Sequence, residues 1–228
     1  MMSYMTSFCR RFFYSACCCI MASSVSYAQS NALLQAVKAK DIASVQQLLD
    51  NPQNTALLNV ADARGQSPLL LATWDNSVDI ARLLIEAGAD VNQKDHQQDS
   101  PYLLAGAQGR NEILMMTLAN GADLQSTNRY GGTALIPAAE KGHLEAVKIL
   151  LQAGVDPDHI NRLGWTALHE AIVLSDGGPT HQEIIRALLA AGANPNLADG
   201  NGVKPLALAR QRGHKASADI LESAGAQP

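Results

Sequence analysis

Six histidines and one glycine-rich loop are the features of this sequence with the clearest potential for chemistry. In the loop, Ser175 and His181 flank Asp176, an order that would supply a nucleophile, an acid and a base. Nucleophilic catalysis needs a base held in a fixed orientation, which a surface loop does not provide. Gly177 and Gly178 have no Lys-Ser/Thr pair after them and no strand before them, so a phosphate-binding loop is excluded. We therefore expect no catalytic residue.

Metal sites are equally poorly supported by the sequence. Asp199-Gly200-Asn201-Gly202 resembles the start of a calcium-binding loop, but Arg210 occupies the twelfth position, where such a loop needs a bidentate glutamate. His96, His159 and His181 lie too far apart in the sequence for a zinc site. We expect no metal ion and no cofactor.

The N-terminal segment, residues 1–28, differs in kind from the rest of the chain. Two arginines precede an apolar run, Phe12–Val25, and Ser26-Tyr27-Ala28 places small residues where signal peptidase recognises them. The apolar run is too short to span a membrane, which takes roughly 20 apolar residues. We expect a cleaved secretory signal and a mature chain that begins at Gln29 and is periplasmic or secreted.

Three alternatives to a general secretory signal stay open. Arg10-Arg11-Phe12-Phe13 resembles part of a twin-arginine export signal, although Cys9 and Tyr14 differ from its pattern. Ala16-Cys17 resembles a lipoprotein cleavage site, but Tyr14 stands where a leucine is expected. The segment could also stay attached as a disordered or anchoring N-terminus.

The composition of the chain narrows the classes of partner. The net charge is −4 and no basic cluster stands out, so nucleic-acid binding is not expected. Removal of the signal would also remove all four cysteines, so the mature chain would contain no disulfide. After cleavage of the signal, the mature chain would also contain no stable membrane-spanning segment.

The histidines and the glycine-rich loop lie within a repeated sequence unit. The segment Asn128–Ile160 is its clearest example. A turn leads into a short helix, Gly142 interrupts the chain, and a second helix carries an apolar stripe that includes Leu144, Val147 and Leu150. Two helices alone cannot bury such a stripe. The unit therefore needs a similar unit on each side.

The sequence supplies those neighbouring units. Three blocks of 33 residues follow one another without a gap, namely Asp62–Lys94, Asp95–Thr127 and Asn128–Ile160. A fourth block, 161–198, is five residues longer, and its insertion between the helices, Ser175–Pro179, is expected to project as a loop. Degenerate blocks at 31–61 and 199–228 are expected to cap the two ends of a single domain that covers 29–228.

The 33-residue period and the sequence Thr166-Ala167-Leu168-His169-Glu170-Ala171 resemble the ankyrin repeat. The resemblance implies an all-α solenoid of helix-turn-helix units with β-turn fingers, about six repeats including the caps. It also implies that His169 forms structural hydrogen bonds. Asn161–His181 further resembles a stretch of exported bacterial ankyrin proteins.

The turns between units and the starts of the first helices allow specific predictions about backbone conformation. Glycine recurs before the first helix of a block, where the chain requires a positive φ. Gln98 replaces that glycine in one block, so we expect strain or a different turn there. The Ser or Thr that precedes each first helix should cap it, and Pro137 should loosen the first turn of its helix.

Binding is expected on one concave face, which in this architecture is formed by the turn tips and the outer edges of the first helices. Tryptophan, tyrosine and arginine are enriched at binding hot spots. We predict that a protein partner binds the residues of these types on that face, Trp74, Arg129, Tyr130, Arg162 and Trp165. Tyr130 and Trp165 could instead only cover adjacent turns.

The sequence thus predicts a monomeric, non-enzymatic scaffold that binds a partner protein in the cell envelope. Two other functions stay open. A secreted effector that binds a host protein would need a further export step. An enzyme that uses the 175–181 loop would need titratable groups converging on a pocket.

Overall fold

Apolar residues recur along one side of each helix, and the chain buries them by stacking helix pairs. A computed structural model of the protein describes residues 32–228. The predicted signal segment and its cleavage position lie outside these residues.

Each repeat contributes a first and a second helix. The first helices are α1 (32–38), α3 (Pro68–Trp74), α5 (Pro101–Ala107), α7 (Leu135–Glu140), α9 (Ala167–Val173) and α11 (Pro205–Gln211). The second helices are α2 (Ile42–Leu49), α4 (Val78–Glu86), α6 (Asn111–Ala119), α8 (Leu144–Gln152), α10 (Pro179–Ala190) and α12 (Lys215–Ser223). A 3₁₀-helix, Pro52–Leu57, follows α2, and no strand occurs between residues 32 and 228. The predicted all-α, helix-turn-helix architecture is confirmed.

The helices form two layers with the core between them. From α3 onward, each first helix packs against the next first helix, and from α2 onward each second helix packs against the next second helix. One continuous apolar cluster extends from Leu33 to Leu221. The stripe predicted on α8 is confirmed at Val147 and Leu150, which are fully buried. Leu144, at the start of the same helix, is half-buried.

The turn that begins each repeat, here called a fingertip, is held by its first residue. The fingertips are residues 62–66, 95–99, 128–132, 161–165 and 199–203. In each, a side-chain oxygen of the first residue accepts hydrogen bonds of 2.8–3.2 Å from the backbone N–H groups two and four residues later. An Asp or Asn at this position therefore closes the turn.

A second set of bonds ties successive repeats together at the exit from the second helix. A side-chain oxygen in one repeat accepts a hydrogen bond of 2.7–2.9 Å from a backbone N–H of the next repeat. The acceptors are Asn59, Asn92, Asp158 and Asn196, and the donors are Asp90, Asp123, Asn194 and Gln227. Gln125 occupies the equivalent position in the remaining repeat.

Gln98 forms the same turn as its glycine counterparts, with a backbone strain that they avoid. Its φ is +65°, while φ at Gly65, Gly131, Gly164 and Gly202 lies between +75° and +81°. The side chain is thus forced into the left-handed region, which favours glycine. Of the two expected outcomes, strain is confirmed.

Gln98→Gly should therefore stabilise the protein by up to about 1 kcal/mol. The left-handed conformation costs a residue with a Cβ roughly 1–2 kcal/mol, and the greater freedom of glycine in the unfolded chain offsets part of the gain. Urea denaturation measures the difference. Asn76→Gly is the comparison, because Asn76 has φ +52° but asparagine tolerates this region, so its gain should be smaller. A loss of stability in Gln98→Gly would contradict the assignment of strain.

Serine and threonine cap three of the first helices as predicted. The hydroxyls of Ser67, Ser100 and Thr166 accept hydrogen bonds from the N–H three residues later, at 3.2, 3.2 and 3.4 Å. Pro68 and Pro101 follow two of these caps at the first helical position, where a missing N–H costs nothing.

The prediction that Thr133 caps its helix is wrong. Helix α7 starts only at Leu135, and the Thr133 hydroxyl has no hydrogen-bond partner among residues 32–228. Pro137 gives the reason, since the first α-helical bond to the Thr133 carbonyl would come from an N–H that proline lacks. The N–H of Ile136 donates to that carbonyl instead, at 3.3 Å. The predicted loosening of this first turn is confirmed.

The five-residue insertion is shared between loop and helix. Pro179 was expected to belong to the projecting loop, but it is the first residue of α10. Helix α10 has 12 residues, whereas α8 has 9. Helix α10 still packs against both α8 and α12, so the stack continues past the insertion.

Between residues 32 and 228, no helix is long and apolar enough to cross a bilayer.

Candidate functional site

A groove of about 420 Å³ opens between the fingertips and the first helices in the middle of the chain. Helices α5 and α7 supply part of its apolar lining through Leu104, Ala107, Ile136 and Pro137. Its size falls in the range of ordinary ligand pockets, and its apolar lining is of the kind that binding sites use.

Three of the five predicted binding residues line this groove. Trp74 comes from the end of α3, and Arg129 and Tyr130 come from a fingertip two repeats later. Trp74 is 42% exposed and Tyr130 is 56% exposed, so both rings present a large apolar surface to solvent. The fold thus brings together residues that are more than 50 positions apart in the sequence.

Contacts on three sides orient Arg129. Its guanidinium lies over the Tyr130 ring, 4.9 Å from the ring centre. Its Nη1 donates a hydrogen bond to Oε1 of Gln97 at 3.2 Å and lies 3.5 Å from Oδ2 of Asp99. A stacked arginine and tyrosine therefore form an ordered pair at the rim of the groove.

Arg162 and Trp165 do not line the groove. Nη1 of Arg162 donates to the carbonyl of Arg129 at 2.7 Å, so this side chain joins two fingertips. Trp165 is half-buried. The pKa of Asp199 is held below its usual value chiefly by the Val203 N–H, and the neighbouring Trp165 side chain makes a smaller contribution. These two residues connect neighbouring repeats.

Glu170 was not predicted as a site residue, yet it is the most unusual group in the groove lining. Its side chain is only 4% exposed. Oε1 accepts a hydrogen bond from Nδ2 of Asn161 at 3.0 Å, while no donor among residues 32–228 reaches Oε2. Burial raises the pKa of Glu170 to about 7, repulsion from Glu140 adds to the rise, and the Asn161 amide opposes it.

The sequence did contain a signal for Glu170. The fourth position after the capping residue holds Leu71, Leu104, Pro137 and Leu208 in the other repeats. Glu170 puts a charge into this otherwise apolar column, which the structure shows to lie along the groove face. Nine positions earlier, Asn161 stands where Asp begins three of the fingertips, and only an amide can donate to the Glu170 carboxyl.

Exposed leucines and further charges complete the lining. Leu163 and Leu174 are 61% and 50% exposed. The pKa of Asp99 is raised by burial and by repulsion from Asp95, against the attraction of Arg129 and Lys141. The groove therefore combines apolar surface with carboxylates whose charge is not fully compensated.

Glu170→Gln should make the protein more stable at pH 8 and leave it nearly unchanged at pH 4. The folded-state pKa, about 7, lies above the ordinary value of 4.5, so the wild type loses stability as pH rises from about 4.5 through 7. Glutamine carries no charge to lose or gain, and its advantage at pH 8 should be roughly 1–3 kcal/mol. Urea denaturation of both proteins across this range measures the difference. Parallel stability curves would show that the Glu170 carboxyl is not perturbed.

The residues considered for catalysis have structural contacts. Oγ of Ser175 accepts a hydrogen bond from the N–H of Gly177 at 3.2 Å, and Nε2 of His181 lies 3.0 Å from the carbonyl of Glu140. Nδ1 of His169 accepts from the Thr166 N–H at 3.1 Å, which completes the cap of α9, and burial lowers the pKa of His169. These hydrogen bonds agree with the structural role implied for His169.

Within residues 32–228, no group of three or more His, Cys, Asp and Glu side chains could hold a metal ion. The turn that resembles a calcium loop uses the Asp199 carboxylate to accept hydrogen bonds from the N–H groups of Asn201 and Val203, both at 2.9 Å.

Comparison with solved structures gives close matches over nearly the whole described chain. An ankyrin repeat domain from Acinetobacter baumannii AYE is 53% identical and superposes with a TM-score of 0.82, covering 86% of this chain and 98% of that one. The ankyrin repeat protein EF0377 is 43% identical with a TM-score of 0.80, covering 84% of this chain and 96% of that one.

Sequence comparison points the same way. YahD of Escherichia coli (strain K12), an ankyrin repeat protein by name, is 52% identical over 59 residues, which are 26% of this chain and 29% of YahD. The family model described as "Ankyrin repeats (3 copies)" matches residues 9–95 and 103–199. These ranges include most of the chain, and among the groove fingertips they contain 128–132 and 161–165. The chain therefore belongs to the ankyrin repeat family.

Proposed function

We propose that this protein is a non-enzymatic scaffold that binds a partner protein in the cell envelope, and that the partner docks on the groove between the fingertips and the first helices. Ankyrin repeats are in general protein-binding scaffolds, and nothing in the family match or the neighbouring structures points to catalysis. The protein acts as a monomer in this proposal, because one chain contains the whole groove.

The observation that carries the proposal is the cluster of Trp74, Arg129 and Tyr130 around one groove. Aromatic side chains and arginine supply most of the energy at protein interfaces when they surround a pocket that excludes water. Arg129 is already oriented by Tyr130 and Asp99, so little conformational entropy is lost when a partner binds.

Site-directed photo-crosslinking in the native host tests this proposal. A photoreactive phenylalanine analogue at Tyr130 should give one defined crosslinked protein, because Tyr130 lies on the groove face. The same analogue at Lys148, which is exposed on α8 in the opposite layer, is the matched control and should give none. Equal crosslinking from both positions, or a product from Lys148 alone, would overturn the proposed surface.

The proposed location depends on the signal segment, residues 1–28. Mass spectrometry of the protein from its own host should find a new N-terminus at Gln29, because Ser26-Tyr27-Ala28 fits the specificity of signal peptidase. An intact form that begins at Met1 in the cytosol would contradict export. Recovery of the mature form from the culture medium would favour the secreted effector over the envelope scaffold.

A further inference from the structure

We infer that the groove receives a lysine side chain of the partner, with the lysine ammonium paired to Oε2 of Glu170. The inference deepens the proposed function, on which it rests, by assigning the chemistry of the group that the groove recognises.

The first argument is the state of the Glu170 carboxylate. Oε1 is engaged by Asn161, while Oε2 is buried without a donor among residues 32–228. A buried acceptor that lacks a donor costs stability, and a buried carboxylate costs more. The other repeats hold leucine or proline at this position, so the fold itself does not require a carboxylate there. Such a group is expected where it has a ligand to bind.

The second argument is that Glu170 is held in place. Oδ1 of Asn161 accepts hydrogen bonds from the N–H groups of Leu163 and Trp165 at 2.9 and 3.0 Å, so the fingertip fixes this side chain. The opposite end of the same amide then fixes Oε1 of Glu170. Oε2 is consequently held in one position just below the groove surface, and an ammonium that enters must displace the side chains that cover it.

The third argument is that the cations around the groove do not neutralise Glu170. Arg129 is committed to Tyr130, Gln97 and Asp99. Among the described residues only the Asn161 amide lowers the pKa of Glu170. No ion pair joins Glu170 to Arg129 or Lys141 within residues 32–228. Glu140 and Asp99 add negative charge to the same lining. A cation from outside the chain therefore complements the site.

The shape of the site favours lysine over arginine. Among residues 32–228 only Oε2 of the two carboxylate oxygens lacks a donor, which suits a compact ammonium, whereas a guanidinium binds best to two oxygens at once. The lysine stem is apolar, and Leu104, Ile136 and Pro137 offer it apolar surface beside the carboxylate.

Titration of the ¹⁵N-labelled full-length protein with Nα-acetyl-lysine methylamide, followed by NMR, tests the inference without any partner. The side-chain amide of Asn161 is the reporter, because its hydrogen bond to Glu170 must respond when Oε2 acquires a ligand. We expect a saturable shift of this signal, and at least about tenfold weaker binding in Glu170→Gln, since one charged contact is removed. Glu183→Gln, on the exposed surface of α10, should bind like the wild type.

Two further probes separate the alternatives. Nα-acetyl-norleucine methylamide has the lysine stem without the ammonium and should not saturate the signal. Nα-acetyl-arginine methylamide should bind more weakly than the lysine probe. Binding that is equal for lysine and norleucine, stronger for arginine, absent for lysine, or unaffected by Glu170→Gln would overturn the inference. None of these results would affect the crosslinking pattern at Tyr130 and Lys148, so the proposed function stands or falls separately.

Discussion

Leu150→Ala should lower the free energy of unfolding by about 2–5 kcal/mol. Leu150 is completely buried on α8 and approaches Gly106 in α5, where a Cβ added to the glycine would lie 3.4 Å from Cδ1 of Leu150. Truncation would remove buried apolar area and leave a cavity between these helices. Chemical denaturation measures the change.

Two companion variants make this result specific. Leu84 is fully buried at the equivalent kind of position on α4, so Leu84→Ala should cost a similar amount. Lys148 is exposed on the same helix as Leu150, and Lys148→Ala should change stability by no more than about 0.5 kcal/mol. Because each repeat supports only its neighbours, amide exchange should increase around the altered repeat first. Neutral results at both leucines would mean that the second helices face the other way.

The double variant Trp74→Ala, Arg129→Ala should weaken binding of the crosslinked partner at least about 100-fold. Each side chain is of a type whose loss at an interface typically costs 2 kcal/mol or more, and both line the same groove. Calorimetric titration with the purified partner measures the affinity. The thermal midpoint should stay nearly unchanged, since Trp74 is 42% exposed and the Arg129 side chain is 45% exposed, and neither belongs to the buried core.

A matched pair on the second-helix layer provides the control. Met115 is 50% exposed on α6, and Arg186 lines a shallow depression of about 510 Å³ between α10 and α12. Met115→Ala with Arg186→Ala removes one large apolar and one cationic side chain, as the test variant does. Full affinity is expected for this control. If it loses affinity while the groove variant does not, the partner binds the second-helix layer.

The fold was predictable because its causes are local and repeated. The apolar stripe of α8 and the glycines of the fingertips recur every 33 residues, so each copy confirms the others. A repeat that differs from the others was predictable only where the substituted residue changes the conformation of its own backbone. Gln98 keeps the turn at the expense of strain. To predict that Thr133 does not cap its helix, a second residue has to be considered. Pro137 lacks the N–H that would bond to the Thr133 carbonyl.

The site was predictable only in part, because it depends on contacts between repeats. Residue type and face sufficed to select Trp74, Arg129 and Tyr130, which line the groove. The same criteria also selected Arg162 and Trp165, whose partners, Arg129 and Asp199, lie in neighbouring repeats. Glu170 was not predicted because it is a buried carboxylate, whereas binding hot spots are enriched in exposed aromatic residues and arginines. A comparison of aligned columns would have found it, since the equivalent residues are apolar.

The most direct test of the central claim, that the groove face is the binding surface, is a hydrogen-exchange footprint of the protein with and without its partner. Exchange should slow at the fingertips 95–99, 128–132 and 161–165 and in helices α5, α7 and α9, which surround the groove. Helices α4, α6, α8 and α10, in the opposite layer, should exchange as in the free protein. Protection confined to those second helices would contradict the account.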